Sequence, residues 1–202
     1  METLAKRIIR RKNEVKRKLT ILKFDNLNVM KEMDSLYDGI NDDCKKEFRA
    51  IYKERYAELW LYLTGKKARE SFLDELAEMY LLGLLNEPNE QTHYAFEPEL
   101  KRKRDRAKEA IDAVPTQTQK QLELEKAIRY VTQQVGFYVD ITEDAASLRA
   151  MKDAGITKVR WNIYGDDKVC SECRGMDGNI YPIDRVPDKP HLRCRCYLTP
   201  IL

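Results

Sequence analysis

Two short clusters of thiol and imidazole side chains lie near the end of this 202-residue chain. The first is the C-x2-C pair Cys170 and Cys173, and the second runs from His191 through Cys194 to Cys196. Four of the five cysteines and one of the two histidines therefore lie within a short stretch of sequence. A tetrahedral zinc site needs four such donors, usually supplied by two short turns, and these spacings can supply them.

The second cluster contains one donor more than a four-coordinate ion needs. On an extended segment Cys194 and Cys196 point to the same side, so the two thiols compete for one position. Cys194 is preferred because its spacing from His191 repeats the spacing of the first pair. The predicted zinc ligands are thus Cys170, Cys173, His191 and Cys194, with Cys196 as the competing ligand.

The predicted zinc ion is structural, and no catalytic residue is predicted. A catalytic zinc usually keeps an open coordination position beside a general acid or base, whereas here five donors compete for four places. The alternative is that the thiols are simply buried or form a disulfide, which a reducing compartment disfavours. The segment around the thiols is poor in large apolar side chains, so a bound ion would be needed to stabilise it.

The segment that carries these ligands has the pattern of strands and turns. Residues 157–164 alternate between apolar and polar side chains, which predicts a strand with one buried face that includes Trp161. Asp177-Gly178 predicts a tight hairpin turn. The sequence therefore predicts a small zinc-binding module at about residues 156–202.

The rest of the chain has helical periodicity, so the predicted fold class is mainly α, with a small α+β C-terminal module stapled by zinc. We expect a helical region at 1–115 and a second region at 116–202 that includes the module. The apolar stripes are Leu4, Ile8, Val15, Leu19 and Leu22; Phe48, Tyr52, Tyr56, Leu59 and Leu63; Phe72, Leu76, Tyr80 and Leu84; and Leu124, Ile128, Val131, Val135 and Tyr138.

Two helix starts are predicted in the second region. Thr116 and Gln119 have the spacing of a capping box, which predicts the start of a long helix. Thr142 is a predicted N-cap for a separate short helix over 143–154, which Gly155 would end.

Charge is abundant but nearly balanced, since 35% of the residues are charged and the net charge is only +3. Such a small excess does not by itself indicate a nucleic-acid partner. The positive charge is concentrated in a basic N-terminal arm over residues 6–23 and in a second run at 101–108. The arm is predicted to be either a solvated helix face or a surface that binds phosphates or a partner.

The sequence predicts no membrane-spanning segment, because no stretch approaches about 20 consecutive apolar residues. No secretory leader pattern is present at the N-terminus, so synthesis in the cytoplasm is expected. Cys44 stands apart from the other cysteines in a helical pattern, and we expect it to be a small buried apolar residue.

Several motifs follow one another in an order and spacing that resemble one protein family. They are Thr142-Glu143, Gly155-Ile156, Val159-Arg160-Trp161, Asp166-Asp167-Lys168-Val169-Cys170, Cys173-Arg174-Gly175-Met176-Asp177-Gly178, and Pro190-His191-Leu192-Arg193-Cys194-Arg195-Cys196, followed by Pro200. Together they resemble the phage head morphogenesis family, whose members are minor head proteins similar to the F protein of phage Mu. The resemblance covers about residues 120–202, and the earlier helices match only in character.

The resemblance implies a minor structural (minor capsid) protein of a tailed-phage or prophage head, incorporated in few copies. It implies association with the portal protein during procapsid assembly, with scaffold or capsid protein as further expected partners. The expected location is the virion, inside the head near the portal, after assembly in the host cytoplasm. The basic N-terminal arm could contact acidic portal or scaffold surfaces or, without sequence specificity, packaged DNA.

Two other functions compete with this one. A nuclease of the HNH type also combines cysteine knuckles with histidine, but if His191 binds zinc only His93 remains, and no Asp-His pair is present to activate water. A zinc-ribbon adaptor that binds nucleic acid would need surface aromatics interleaved with basic residues. The module's tyrosines Tyr164, Tyr181 and Tyr197 are scattered along the sequence, which favours a role in packing.

Overall fold

A computed structural model describes residues 3–21, 25–86, 95–191 and 194–202. Helices dominate the described residues, and a small three-stranded antiparallel sheet lies in the C-terminal part. The predicted fold class, mainly α with a small α+β C-terminal part, is confirmed. No described helix has both the length and the apolar character that a membrane span requires.

The elements, in chain order, are α1 (Leu4–Ile21), α2 (Asn26–Thr64), α3 (Glu70–Asn86), α4 (Phe96–Asp112), α5 (Gln117–Asp153), β1 (Lys158–Asn162), α6 (Ser171–Met176), β2 (Ile180–Pro182) and β3 (Tyr197–Pro200). A 3₁₀ turn, Ile183–Arg185, follows β2. The chain forms two compact units, one from residues 1–49 and 79–138 and the other from residues 50–78 and 139–202. The predicted boundary at residue 115 falls between α4 and α5, and each unit contains segments from both sides of it.

The first unit is a helical core that buries the apolar stripe of α1. Leu4, Ile8, Val15 and Leu19 are all buried, as the periodicity predicts, and Leu22 lies outside the described residues. Aromatic rings from three helices meet nearby. The ring of Phe96 packs edge-on against Phe48, with centroids 5.2 Å apart, and against Tyr138 at 4.9 Å. Cys44 is fully buried in the same unit, as expected.

Much of the positive charge of α1 is paired within this unit. The ion pairs are Arg7 with Glu47, Arg11 with Asp43, Lys12 and Lys16 with Glu125, and Lys18 with Glu32. Two members of the second basic run, Arg104 and Lys108, share Asp34 in the same way. These bases therefore hold helices together, and fewer of them face solvent than the sequence pattern suggested.

The second unit contains the C-terminal sheet and the helical segments packed with it. The tyrosine hydroxyl of Tyr56 donates to Asp153 at 2.9 Å, and the guanidinium of Arg55 donates to the hydroxyl of Ser147 at 2.8 Å. The strand order is β2-β1-β3, with both pairings antiparallel. On β1 the buried side chains are Val159 and Trp161, as the alternation predicts.

The long helix α5 confirms one predicted start and corrects another. At its N-terminus, the backbone N–H of Gln119 donates to Thr116 Oγ1 at 3.3 Å, and the backbone N–H of Thr116 donates to Gln119 Oε1 at 3.2 Å. These two hydrogen bonds form the predicted capping box. The predicted second start at Thr142 is wrong, because Thr142 is fully buried inside α5. The apolar stripe continues through Ala146 and Ala150, and without a proline to stop it the helix runs on.

The α5 helix ends as predicted, but the turn at Asp177-Gly178 differs from the prediction. Gly155 follows α5 with a φ of 84°, a conformation that glycine adopts without strain. Asp177-Gly178 does not join two consecutive strands, since it connects α6 to β2. The chain between β1 and β2 makes the short helix α6, and Gly178 then returns to β1 by donating to the carbonyl of Trp161 at 2.8 Å.

Candidate metal centre

The five candidate ligands come from two places in the second unit. Cys170 is the N-cap residue of α6, and Cys173 lies in the first turn of that helix. His191 lies in the loop that follows the 3₁₀ turn, and Cys194 and Cys196 immediately precede β3. The helix start therefore supplies the first cluster, and the approach to β3 supplies the second.

Three of the distances between candidate ligand atoms are close to those around a tetrahedral ion. His191 Nε2 is 3.2 Å from Cys170 Sγ and 3.3 Å from Cys173 Sγ, and Cys173 Sγ is 3.6 Å from Cys194 Sγ. Ideal Zn–S and Zn–N bonds in a tetrahedron would place sulfur about 3.6 Å from nitrogen and about 3.8 Å from another sulfur. The measured distances differ from these values by a few tenths of an ångström.

The donors form two overlapping groups that could each hold a metal ion. One group is Cys170, Cys173 and His191, and the other is Cys173, Cys194 and Cys196; within each group all ligand atoms lie within 4.8 Å of one another. Cys173 belongs to both. Cys194 and Cys196 both reach it, as expected of alternate residues on an extended segment. Which of the two completes a four-ligand site stays a prediction, with Cys194 preferred.

Burial and hydrogen bonds shift the pKa values of three thiols in the cluster. Burial raises the pKa of the Cys173 thiol, and hydrogen bonds with neighbouring thiols act in the same direction. Burial likewise raises the pKa of Cys194. The pKa of Cys170 is lowered, chiefly because its sulfur accepts a hydrogen bond from the backbone N–H of Cys173. Without a cation the buried thiols favour the neutral form, and a bound metal ion would stabilise their thiolates.

The thiols also form a large part of the local core. The buried residues of this cluster are Trp161, Cys173, Cys194 and Cys196. Partly buried apolar side chains pack around them, including Tyr181, whose ring meets that of Trp161 edge-on with centroids 6.3 Å apart. Because Trp161 is, among the described residues, the only buried member of this cluster that is not a cysteine, an ion that ties the thiols together would contribute much of the module's stability.

A half-buried ion pair anchors the loop that carries His191. Lys189 Nζ lies 2.7 Å from Asp144 Oδ2 on α5, and only 16% of the Lys189 side chain is exposed. Burial alone would lower the pKa of Lys189, but the charge and hydrogen bond of Asp144 raise it overall. The loop is thereby fixed two residues before the histidine.

The donor set itself indicates what the centre can do. One group consists of two thiols and an imidazole and the other of three thiols, and neither contains a carboxylate. Soft donors of this kind suit a tetrahedral structural ion, whereas a hydrolytic centre would need an open position and a general base. His93, the second histidine in the sequence, lies outside the described residues.

One group of surface residues was missed in the sequence. Tyr164 and Tyr197 are not scattered, because their ring centroids are 5.5 Å apart and the guanidinium of Arg195 lies 5.6 Å from the centre of the Tyr164 ring. Both tyrosines are exposed. The alternation of residues before β3 could have predicted part of this group. If Cys194 and Cys196 point inward on an extended segment, Arg195 and Tyr197 point outward.

Comparisons of the chain with protein-family models, with curated proteins and with solved structures found no match. The class that the fold and the site define is therefore a mainly α protein with a small C-terminal sheet built over a thiol-rich cluster that could hold a metal ion.

Proposed function

We propose that this protein is a noncatalytic minor head protein of a tailed phage or prophage, in which a structural zinc ion staples the C-terminal module. One observation carries the proposal: the separate motifs that resemble the phage head morphogenesis family come together around one cluster. Trp161 of β1, the C-x2-C pair at α6 and the closing His-x2-Cys-x-Cys segment supply its ligands and its buried ring. Because these motifs pack into one folded module, we expect them to occur together in a protein.

Zinc is the metal that best suits these donors. Thiolates with one imidazole select zinc over magnesium and calcium, which prefer oxygen ligands. The sulfur–nitrogen distances lie within a few tenths of an ångström of those in a tetrahedral zinc site, and with five donors for four places no coordination position would stay open. The ion would therefore stabilise the fold, and the working surfaces of the protein lie elsewhere.

We place the contact with the portal on the exposed face of α1. A shallow groove there is lined by Lys6, Ile9, Arg10, Asn13, Glu14 and Arg17. Ile9 is 45% exposed, and it lies between exposed basic side chains such as Lys6 and Arg17. An apolar residue on a face with three cations and one carboxylate suits an acidic protein surface, and phosphate contacts with packaged DNA are the salt-sensitive alternative.

The proposal is tested by co-expression of the full chain with the portal protein of the same phage or prophage. We expect a stable complex, entry into procapsids and about one zinc per chain. The double variant Lys6→Glu, Arg17→Glu should lose the portal, because it reverses the charge of the α1 face. Lys66→Glu, Lys67→Glu is the matched control, since both lysines are exposed and lie in the loop after α2.

Two results would contradict this function. Failure of the full chain to co-purify with the portal or to enter procapsids would remove the assembly role. A chain that folds without metal and contains a Cys170–Cys173 disulfide would remove the zinc staple.

A further inference from the structure

We propose that the outer face of the C-terminal sheet binds single-stranded nucleic acid, with bases stacked on Tyr164 and Tyr197 and phosphates held by Lys158 and Arg160. The proposal rests on a different surface from the α1 face and does not depend on head assembly. It would give the module a binding role beside its structural cluster.

The outer face follows from the register of the strands. Arg160 is opposite Thr199 on β3 and Ile180 on β2, and Asn162 is opposite Tyr197. Directly opposed residues project to the same face of a sheet. The outward positions are Lys158, Arg160, Asn162, Ile180, Pro182, Tyr197 and Thr199. They include two cations and no carboxylate.

The opposite face of the sheet is already occupied. Val159 and Trp161 point inward, and the cysteine cluster packs against Trp161. The cysteine cluster therefore lies against the inner face of the sheet and leaves the outer face to solvent. A ligand on the outer face would not touch the thiols.

The aromatic end of this face is exposed and held in place. Tyr164 is 55% exposed and Tyr197 is 45% exposed, and their planes meet at 61°. Arg195 lies against the Tyr164 ring and donates to Asp166 at 2.6 Å. Rings that are held in place lose less conformational entropy when a base stacks on them.

The cationic part of the face is available to phosphates. Within the described residues, no carboxylate lies within ion-pair distance of Lys158 or Arg160, in contrast to most bases of α1. Exposed aromatics beside unpaired cations are the features that bind single strands without sequence preference, because every base has a face that can stack. A duplex hides those base faces, so the arrangement favours single strands.

Binding is tested with the full-length protein and a fluorescein-labelled oligo-dT, oligo-rU or matched duplex, followed by fluorescence anisotropy. We expect saturable binding of both single strands, weaker binding of the duplex, and affinity that falls as salt rises. Tyr164→Ala and Tyr197→Ala should each raise the Kd about 5- to 100-fold. Tyr197→Phe retains the ring and should bind like the wild type.

The chain contains a matched control for the aromatic substitutions. Tyr130 on α5 is 56% exposed, and the guanidinium of Arg129 lies 5.8 Å from the centre of its ring. This pair resembles Tyr164 with Arg195 in exposure and geometry, but it belongs to α5 of the first unit and is not part of the sheet. Tyr130→Ala and Arg129→Gln should therefore leave the Kd unchanged. In contrast, Arg160→Gln should raise the Kd and reduce the slope of log affinity against log salt by about 1, the effect of one lost phosphate contact.

Several outcomes would overturn the proposal. These are no saturable binding of either single strand, preference for the duplex, an equal loss in Tyr130→Ala, and loss of binding in Tyr197→Phe. Retained binding in the double variant Tyr164→Ala, Tyr197→Ala, with loss in Lys6→Glu, Arg17→Glu, would move the contact to α1. Circular dichroism and metal content confirm that each variant is folded. Portal co-purification should be unaffected by the tyrosine variants, so the two proposals can fail independently.

Discussion

The thiol of Cys170 caps helix α6 by accepting a hydrogen bond from the backbone N–H of Cys173, with 3.3 Å between sulfur and nitrogen. The same sulfur lies 3.2 Å from His191 Nε2. One atom therefore starts the helix that positions Cys173 and also belongs to the candidate metal centre. The local fold and the ligand cluster are coupled through this residue.

Substitution of Cys170 can separate its two roles. Serine is a good N-cap but a poor zinc ligand, so Cys170→Ser should lose the metal while it retains the cap. Cys170→Ala should lose both and be less stable than the serine variant by about 1 kcal/mol. Metal analysis and chemical denaturation check these outcomes. Cys44→Ala is the control and should keep its metal; equal metal content in all three variants would refute ligation by Cys170.

Serine substitutions of Cys194 and Cys196 should identify the fourth ligand. We expect Cys194→Ser to weaken metal affinity strongly and Cys196→Ser to weaken it less, because the spacing from His191 favours Cys194. Competition with a chelator measures the affinity, and the absorption spectrum of the cobalt-substituted protein reports how many thiolates bind. The reverse order of the two variants would assign Cys196 as the ligand.

The Lys189–Asp144 ion pair should support the metal centre from outside it. Lys189→Met would release the His191 loop and leave the Asp144 carboxylate without its partner, so we expect the metal to dissociate about tenfold faster. Lys152→Met is the control, because Lys152 pairs with Asp184 at the surface of the same unit. Exposed pairs contribute little, so the control should retain its metal like the wild type. Equal rates in both variants would contradict a positioning role.

The Arg11–Asp43 pair should make the first unit sensitive to acid. The hydrogen bond from Arg11 lowers the pKa of Asp43 below its ordinary value of 3.8, so folding favours the ionised carboxylate. Its contribution is present above pH 3.8 and is lost as the pH falls through the lowered pKa. Asp43→Asn should therefore cost about 1 to 3 kcal/mol at neutral pH, and the cost should shrink in acid.

Chemical denaturation between neutral pH and about pH 3 checks this dependence. Asp42→Asn is the control, because Asp42 is the exposed neighbour of Asp43. A cost for Asp43→Asn that is constant over this pH range would contradict the prediction.

Gly39 gives the Arg11 guanidinium room to lie against α2. A Cβ added at Gly39 would lie 2.5 Å from Arg11 Nη1 and 2.8 Å from Cζ, so the guanidinium would have to move. Alanine in a helix gains about 1 kcal/mol over glycine. Gly39→Ala should show that gain in an Arg11→Met background and little or none of it in the wild type. The same gain in both backgrounds would contradict the contact.

The local signals were sufficient for much of the fold. Apolar residues at helical spacing predicted the stripes, and the Thr116–Gln119 spacing predicted a cap that forms through two reciprocal hydrogen bonds. The alternation through Trp161 predicted a strand with that ring buried. Each of these features depends on residues only a few positions apart, so the sequence pattern alone is enough to predict it.

The errors came from features that depend on distant partners. Thr142 has a good capping side chain, but burial of the stripe that continues through Ala150 favours an unbroken helix. Asp177-Gly178 is a turn, but it connects α6 to β2 because the short helix α6 forms between β1 and β2. The two tyrosines became a cluster because strand pairing put Asn162 opposite Tyr197.

The sequence by itself determined the helical class, the thiol and imidazole chemistry of the candidate ligands and the two short segments that carry them, because periodicity and donor spacing are local properties. Only the tertiary structure decided that the basic residues of α1 pair with distant carboxylates such as Asp43 and Glu125, and that Tyr164, Tyr197 and Arg195 form one exposed surface. The reason is physical: ion pairs and ring contacts depend on distances through space, and these are settled when strands and helices pack.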